Sequence, residues 1–123
     1  MPGVAQPAQA VAGRWAEQRA LRLLRQRGWQ RLDQNWRCRW GELDLVMAKG
    51  RRLLVVEVKG RRSGADGWGA AALDARKRQR LNRAFACWQA AHGDRAQDPA
   101  ELVYALVPLP PARGPVRWIR VLA

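Results

Sequence analysis

The spacing of apolar residues changes several times along the chain, and each change marks an element. From Gly13 to Arg27, the residues Trp15, Ala16, Ala20, Leu21, Leu23 and Leu24 form a broad apolar stripe at helical spacing. Gly28 supplies the stop signal. Trp29 to Trp40 reads as a strand-like crossing with irregular parts. Leu43 to Met47 reads as a strand, and Ala48-Lys49-Gly50-Arg51 as a tight turn in which Gly50 is free to take a positive φ. Leu53 to Val58 is rich in β-branched residues and is the strongest strand in the chain. Gly64, Gly67 and Gly69 make residues 60–69 a loop. Residues 70–91 read as a long helix with Leu73, Leu81, Ala84, Phe85 and Trp88 facing inward. A polar loop follows from His92 to Ala100. Leu102 to Val107 is a late strand ended by Pro108, Pro110 and Pro111, and Arg117 to Leu122 is a short final strand. This order predicts an α/β domain: a mixed central sheet with helices on its faces. Residues 1–12 are small, uncharged and proline-bearing, which predicts a disordered tail and leaves 13–123 as a single domain.

Composition narrows the function classes. A chain of 123 residues with 48% apolar content fits one globular domain. No window is apolar over the length of a membrane span, and no charged segment followed by an apolar one opens the chain, so cytoplasmic residence is the expectation. Cys38 and Cys87 stand apart from each other and from any paired spacing, and His92 is the only histidine. A Cys/His metal site is therefore not expected, and both thiols read as free. The net charge of +13 comes from 20 arginines and 3 lysines against 10 acids. Such an excess attracts polyanions, and the arginine bias favours bidentate phosphate contacts. Nucleic acid is the expected partner; a membrane surface is not, since no basic amphipathic helix stands apart from the fold.

Against that background two polar interruptions stand out. In Val55-Val56-Glu57-Val58-Lys59, side chains alternate faces, so Val55, Glu57 and Lys59 share one face and Val56 and Val58 the other. Charges that end an apolar strand are costly unless paired or bound to a metal. Asp44 interrupts the preceding apolar strand in the same way. A hairpin through Lys49-Gly50 brings Asp44 close to Glu57, with the register set to within a residue or two. Paired carboxylates suit a hard divalent cation such as Mg²⁺ or Mn²⁺, which can activate water and neutralise phosphate charge. Lys59 would place an ammonium beside the attacked phosphate. The competing reading is a Glu57–Lys59 ion pair at a strand end with Asp44 as a turn residue.

Other basic residues cluster by position. Lys77, four residues from both Leu73 and Leu81, falls on the inward stripe of its helix, where it snorkels or points toward a phosphate. Arg76, Arg80 and Arg83 share another face and, with Arg61 and Arg62, are candidates for phosphate-backbone contacts. A solvated helix face is the bland reading of each. Of the tryptophans, Trp15, Trp29, Trp36, Trp40 and Trp88 read as core, and Trp68 as the best base-stacking candidate.

Gly41-Glu42-Leu43-Asp44-Leu45-Val46, followed by Val56-Glu57-Val58-Lys59-Gly60-Arg61, resembles the YraN family of small bacterial proteins. That family is similar to the PD-(D/E)xK nucleases, with their restriction-endonuclease-like fold, and among them to Holliday-junction resolvases. Asn35-Trp36-Arg37, Glu17, Gly28, Gly69 and the helix carrying Lys77, Leu81 and Ala84 also fit the pattern, so the resemblance spans roughly residues 13–91. It implies that Asp44 and Glu57 ligate a metal and that Lys59 is the catalytic lysine. Glu17 resembles the acidic residue that the resolvase-like branch presents from its first helix. Glu42 would be a further ligand or a supporting partner; as a plain strand-start charge it needs no role. The resemblance also implies a possible homodimer. The chain departs from the family at residues 100–104, where no Asp opens the next strand.

Taken together, these readings point to metal-dependent cleavage of DNA phosphodiesters, branched or structured DNA included. Two other functions fit the same residues. One is a nucleic-acid-binding module with the nuclease fold and little or no turnover; the other is a basic interaction protein that docks an acidic partner.

Overall fold

The computed structural model of the chain describes residues 8–62 and 75–121. The β-branched run at 53–58 lies in the middle strand of a five-stranded sheet. The strands are β1 (Gln30–Cys38), β2 (Gly41–Lys49), β3 (Arg52–Arg61), β4 (Ala100–Pro108) and β5 (Arg117–Val121), in the spatial order β1-β2-β3-β4-β5. β3 and β4 are parallel and the other neighbours are antiparallel, which makes the sheet mixed as expected. A parallel pair needs a crossover. Among the described residues that crossover carries helix α2 (Ala75–Ala91) and a 3₁₀ turn at Gly93–Arg95.

The two faces of the sheet are covered by different helices. Helix α1 (Ala8–Gln26) puts Ala16, Ala20, Leu21 and Leu24 against Leu45, Met47, Leu54, Val56, Val103, Ala105 and Val107. Helix α2 puts Leu81, Ala84, Phe85 and Trp88 against Leu43, Val46, Ala48, Leu53 and Val55. The alternation read from the sequence thus sorts β3 correctly: Leu54, Val56 and Val58 face α1, while Leu53 and Val55 face α2. A polar network pins β1 to the second layer. Trp88 Nε1 donates to Asp33 Oδ2 at 2.7 Å, and His92 Nε2 lies 3.4 Å from the same oxygen.

Several boundaries differ from the sequence reading. Helix α1 starts at Ala8, inside the segment expected to be a disordered tail; Ala8, Ala10 and Ala12 are strong helix formers, and low complexity hid that propensity. Residues 1–7 lie outside the described residues. Trp15 was expected in the core but is 41% exposed. β3 continues through Gly60 and Arg61, where a loop was expected, because it pairs with β4 as far as Pro108. The loop glycines Gly64, Gly67 and Gly69, Trp68 and the helix start with Leu73 fall outside the described residues. Gly28 does close α1. It takes φ 91°, Trp29 N–H donates to Leu24 O and Gly28 N–H to Arg25 O, the Schellman pattern that satisfies terminal carbonyls.

Candidate functional site

The hairpin sets the site. β2 and β3 pair from Lys49↔Arg52 to Leu45↔Val56 around a two-residue loop, Gly50-Arg51, with Gly50 at φ 61°. The next pair in this register would be Asp44 with Glu57, but the ladder ends at Leu45. Val58 N–H instead donates to Asp44 Oδ2 at 2.8 Å, so a side chain replaces a backbone acceptor where the strands part. On its other side β2 faces β1, and the residue level with Asp44 is Asn35, which adopts φ 52°. Both strands next to Asp44 therefore leave regular geometry at that level.

Asp44 and Glu57 open into a cavity of about 270 Å³ also lined by Trp40, Gly41, Glu42, Lys59, Lys77, Arg80, Leu81 and Tyr104. Lys59 Nζ sits 3.5 Å from Glu57 Oε1. Glu57 Oε2 is buried and has no hydrogen-bond partner among the described residues. Burial pushes Asp44 up to about 8, with the charge of Glu57 as the second cause and the Val58 hydrogen bond opposing. Burial also raises Glu57, and the Lys59 ammonium offsets part of that rise. Near neutral pH, Asp44 therefore holds its proton. Two buried carboxyls in contact, one with an orphaned oxygen, are oxygen donors of the kind that would suit a hard divalent cation. Among the described residues no group of three or more potential ligand side chains closes on one point. Protein ligation here would be two carboxylates, with the remaining positions left to oxygen atoms of water or substrate.

The structure brings together most of the residues singled out in the sequence. Asp44, Glu42, Glu57, Lys59, Lys77 and Arg80 all line the cavity. Glu42 is engaged by Arg37 at 3.3 Å across the β1–β2 turn, which favours a supporting position over a third ligand. Glu17 does not line the cavity. It sits on α1 with Oε2 buried and without a hydrogen-bond partner among the described residues; burial raises its pKa, Asn35 and Gln34 oppose that rise, and its charge adds to the shift of Asp44. Arg83 lies one turn beyond Arg80, its Cζ 4.8 Å from the Trp40 ring centroid. Arg76 is exposed on α2 and is not part of the lining.

Arg61 and Arg62 do not point into the cavity. Arg61 is half-buried with Nε lacking a hydrogen-bond partner among the described residues, and Arg62 lies beside Val11, Trp15, Leu109 and Pro110 near the start of α1. Strand alternation could have found the second of these, since it puts position 62 on the Val56 and Val58 face. Two cavity residues escaped the sequence reading. Tyr104 pairs in parallel register with Glu57, and Trp40 was read as core but is half-buried at the cavity wall. A parallel register over forty residues leaves no local signal. Trp40, next to the turn glycine Gly41, did leave one. Cys38 and Cys87 are both free, yet their thiols are neighbours in space across β1 and α2.

A family model described as "Uncharacterised protein family UPF0102" matches residues 16–104, which include both carboxylate strands and the helix between β3 and β4. The chain belongs to the UPF0102 family. It is 58% identical to a UPF0102 protein of Prochlorococcus marinus (strain MIT 9303) over 110 residues, which cover 89% of this chain and 87% of that one. A UPF0102 protein of Stutzerimonas stutzeri (strain A1501) is 39% identical over 109 residues, covering 89% and 91%. One from Herpetosiphon aurantiacus is 44% identical over 87 residues, covering 71% and 69%. As a UPF0102 protein the chain matches the YraN-like resemblance of its Asp44 and Glu57–Lys59 motifs. No described helix is long and apolar enough to cross a membrane.

Proposed function

We propose that this UPF0102 protein is a metal-dependent endonuclease-like protein acting on DNA phosphodiester bonds, with a restriction-endonuclease-like fold and a PD-(D/E)xK-type site. The observation that carries the reading is the contact of Asp44 and Glu57, delivered by adjacent strands into a cavity whose other charged walls include Lys59, Lys77 and Arg80. Phosphodiester hydrolysis needs this combination: oxygen ligands for a cation, and positive charge around a phosphate.

Asp44 and Glu57 would hold Mg²⁺ or Mn²⁺, which supplies a lowered water pKa and neutralises phosphate charge when bound. The rest follows from the chain itself. Lys59, tethered by Glu57, presents its ammonium where charge builds on the attacked phosphate. Lys77 and Arg80 come from α2 on the opposite wall and can hold the strand against the carboxylates. Val58 N–H fixes the orientation of Asp44 through Oδ2. Glu42 keeps Arg37 at the rim.

The test is nicking of supercoiled, linear and branched DNA with Mg²⁺ or Mn²⁺ by the wild-type protein and by Glu57→Ala. The expected outcome is cleavage by the first alone. Equal activity in the two removes the assignment.

A second reading is binding of nucleic acid without turnover. It is favoured by the engagement of Glu42 with Arg37 and by the position of Glu17 outside the cavity lining, which leave two carboxylates rather than three. Salt-sensitive DNA binding with no product over a range of metals and substrates would select it.

A further inference from the structure

Trp40 occupies the tip of the β1–β2 turn and forms part of the cavity wall. Two arginines from different elements converge on its indole. Arg39 Cζ lies 4.5 Å from the ring centroid and Arg83 Cζ, on α2, 4.8 Å. Both distances fall inside the range at which a guanidinium is attracted to the face of an aromatic ring. Both arginines are exposed, and neither has a carboxylate partner among the described residues.

This arrangement has an energetic cost. The shared ring keeps the two positive charges within roughly one Debye length, ~10 Å, of each other. Their repulsion opposes the arrangement, and the indole is the group that offsets it. Three exposed arginines meet acids: Arg37 meets Glu42, Arg51 meets Asp98 and Arg120 meets Glu101, while Arg52 alone faces the Trp29 ring. Arg39 and Arg83 differ in sharing one ring, and their N–H forks have no carboxylate among the described residues. Stacking fixes the plane of a guanidinium, so less conformational freedom is lost when it binds a phosphate bidentately. Arg83 also follows Arg80 of the cavity wall by one helical turn, so the pair continues the basic wall away from Lys59.

We propose that Arg39, Trp40 and Arg83 form a phosphate clamp, which grips the nucleic-acid strand at phosphates next to the one held between Lys59 and the carboxylates. The clamp deepens the proposed function and rests on its nucleic-acid half. Trp40 acts in it as a positioning residue, holding two guanidiniums in one orientation. The ligand is the diester backbone, so the clamp is indifferent to base sequence.

The experiment measures binding of a fluorescein-labelled DNA oligonucleotide to the full chain by anisotropy, in EDTA, over a series of NaCl concentrations. Far-UV circular dichroism checks folding. Each lost phosphate contact lowers the slope of log K against log salt by about 0.9 for duplex DNA. For Arg39→Gln/Arg83→Gln the slope is expected to fall by about 1 to 2, with at least ~10-fold weaker binding at moderate salt. Trp40→Ala removes no charge, yet is expected to lower the slope by about 1 as well, and Trp40→Phe to restore most of it. An unchanged slope in the folded arginine double variant overturns the clamp. An unchanged slope in Trp40→Ala, with Trp40→Phe also unchanged, overturns the positioning role. These outcomes are independent of turnover. If the slopes change but plasmid is never nicked, the clamp is supported and only hydrolysis is lost. If plasmid is nicked and the slopes stay constant, the clamp alone falls.

Discussion

Val58 N–H donates to Asp44 Oδ2 over 2.8 Å, so a carboxyl group takes the place of a ladder acceptor where β2 parts from β3. This single bond ties the orientation of one carboxyl to the backbone of the strand that bears the other. At about pH 5, where Asp44 is protonated, Asp44→Asn keeps an acceptor for Val58 and Asp44→Ala does not. Urea unfolding at that pH is expected to show Asn close to wild type and Ala about 1–2 kcal/mol less stable. Identical midpoints for Ala and Asn would show that the bond does not hold the splay.

The raised pKa of Asp44 makes stability depend on pH in a definite direction. Its carboxyl titrates near 3.8 in an unfolded chain and at about 8 in the fold, so the folded protein binds the proton more tightly. The stabilisation is complete below about pH 4 and is lost as pH rises through about 8. Metal-free wild type is therefore expected to lose stability steadily over that interval from this group. Asp44→Asn, which has no proton to lose, should flatten the profile and be the more stable protein at pH 8. A wild-type profile that rises from pH 6 to pH 8, with the Asn profile parallel to it, would contradict the assignment.

A divalent cation competes with that proton. Mg²⁺ or Mn²⁺ is expected to raise the Tm of the wild type, and to raise it more at pH 8 than at pH 6, because less proton has to be displaced. Glu57→Gln removes one of the two charged ligands and should abolish most of the shift. Removing the ion with EDTA should reverse it. Thermal scans at fixed metal concentration decide the matter; a shift of equal size in Glu57→Gln would place the ion elsewhere.

Lys59 has two effects that separate by measurement. Its ammonium opposes the burial that raises the pKa of Glu57, and in the proposed reaction it faces the phosphate. Lys59→Met is expected to lower the cleavage rate at saturating metal by about 100-fold or more, the scale seen when one charge-stabilising donor is removed. It should also weaken metal binding, since the pair loses its counter-charge. Lys59→Arg keeps the charge and should preserve metal affinity while leaving the rate low. A rate restored by Arg would mean that the charge alone suffices.

Gly60 lies one residue beyond the lysine, packed under a loop. A Cβ there would meet Leu109 Cδ1 and Cδ2 at 2.9 Å. Gly60→Ala is expected to cost about 1–3 kcal/mol in urea unfolding. Much of that should be recovered in Gly60→Ala/Leu109→Ala relative to Leu109→Ala alone, because the two sites share one space. Strict additivity of the two changes would show that the crowding is relieved elsewhere.

Much of the site was legible because it is local. The alternation of Val55, Glu57 and Lys59, and one turn at Gly50, are enough to set Asp44 beside Glu57. Lys77 was readable from its spacing to Leu81 on one helix. The illegible parts depend on contacts distant in sequence. Tyr104 reaches Glu57 through a parallel pairing whose register no turn defines. The resemblance put Glu17 at the site, but it does not line the cavity, and its neighbours Gln34 and Asn35 belong to a separate strand. Trp40 and Trp88 have the same composition signal, yet one is wholly buried in the α2 layer and the other walls the cavity. That difference is decided by which helix happens to lie above the turn. The sequence reading also placed Trp15 inside, whereas Ala16, Ala20, Leu21 and Leu24 make the buried face of α1 and leave the Trp15 ring 41% exposed.

The two-residue loop at Gly50-Arg51 has a consequence for how this chain can vary. The partnership of Asp44 and Glu57 is counted out by the number of residues between them. Adding one residue while the turn stays two residues long would bring a valine opposite Asp44 and turn the carboxylate of β3 toward α1, with every side chain still present. Adding two while keeping the ladder would restore the faces but slide the acids past one another. Length variation is ordinarily tolerated in a hairpin loop at a protein surface. In this protein the loop serves as a ruler for a site about six residue pairs away, so lengthening it would disarm the pair without touching either acid.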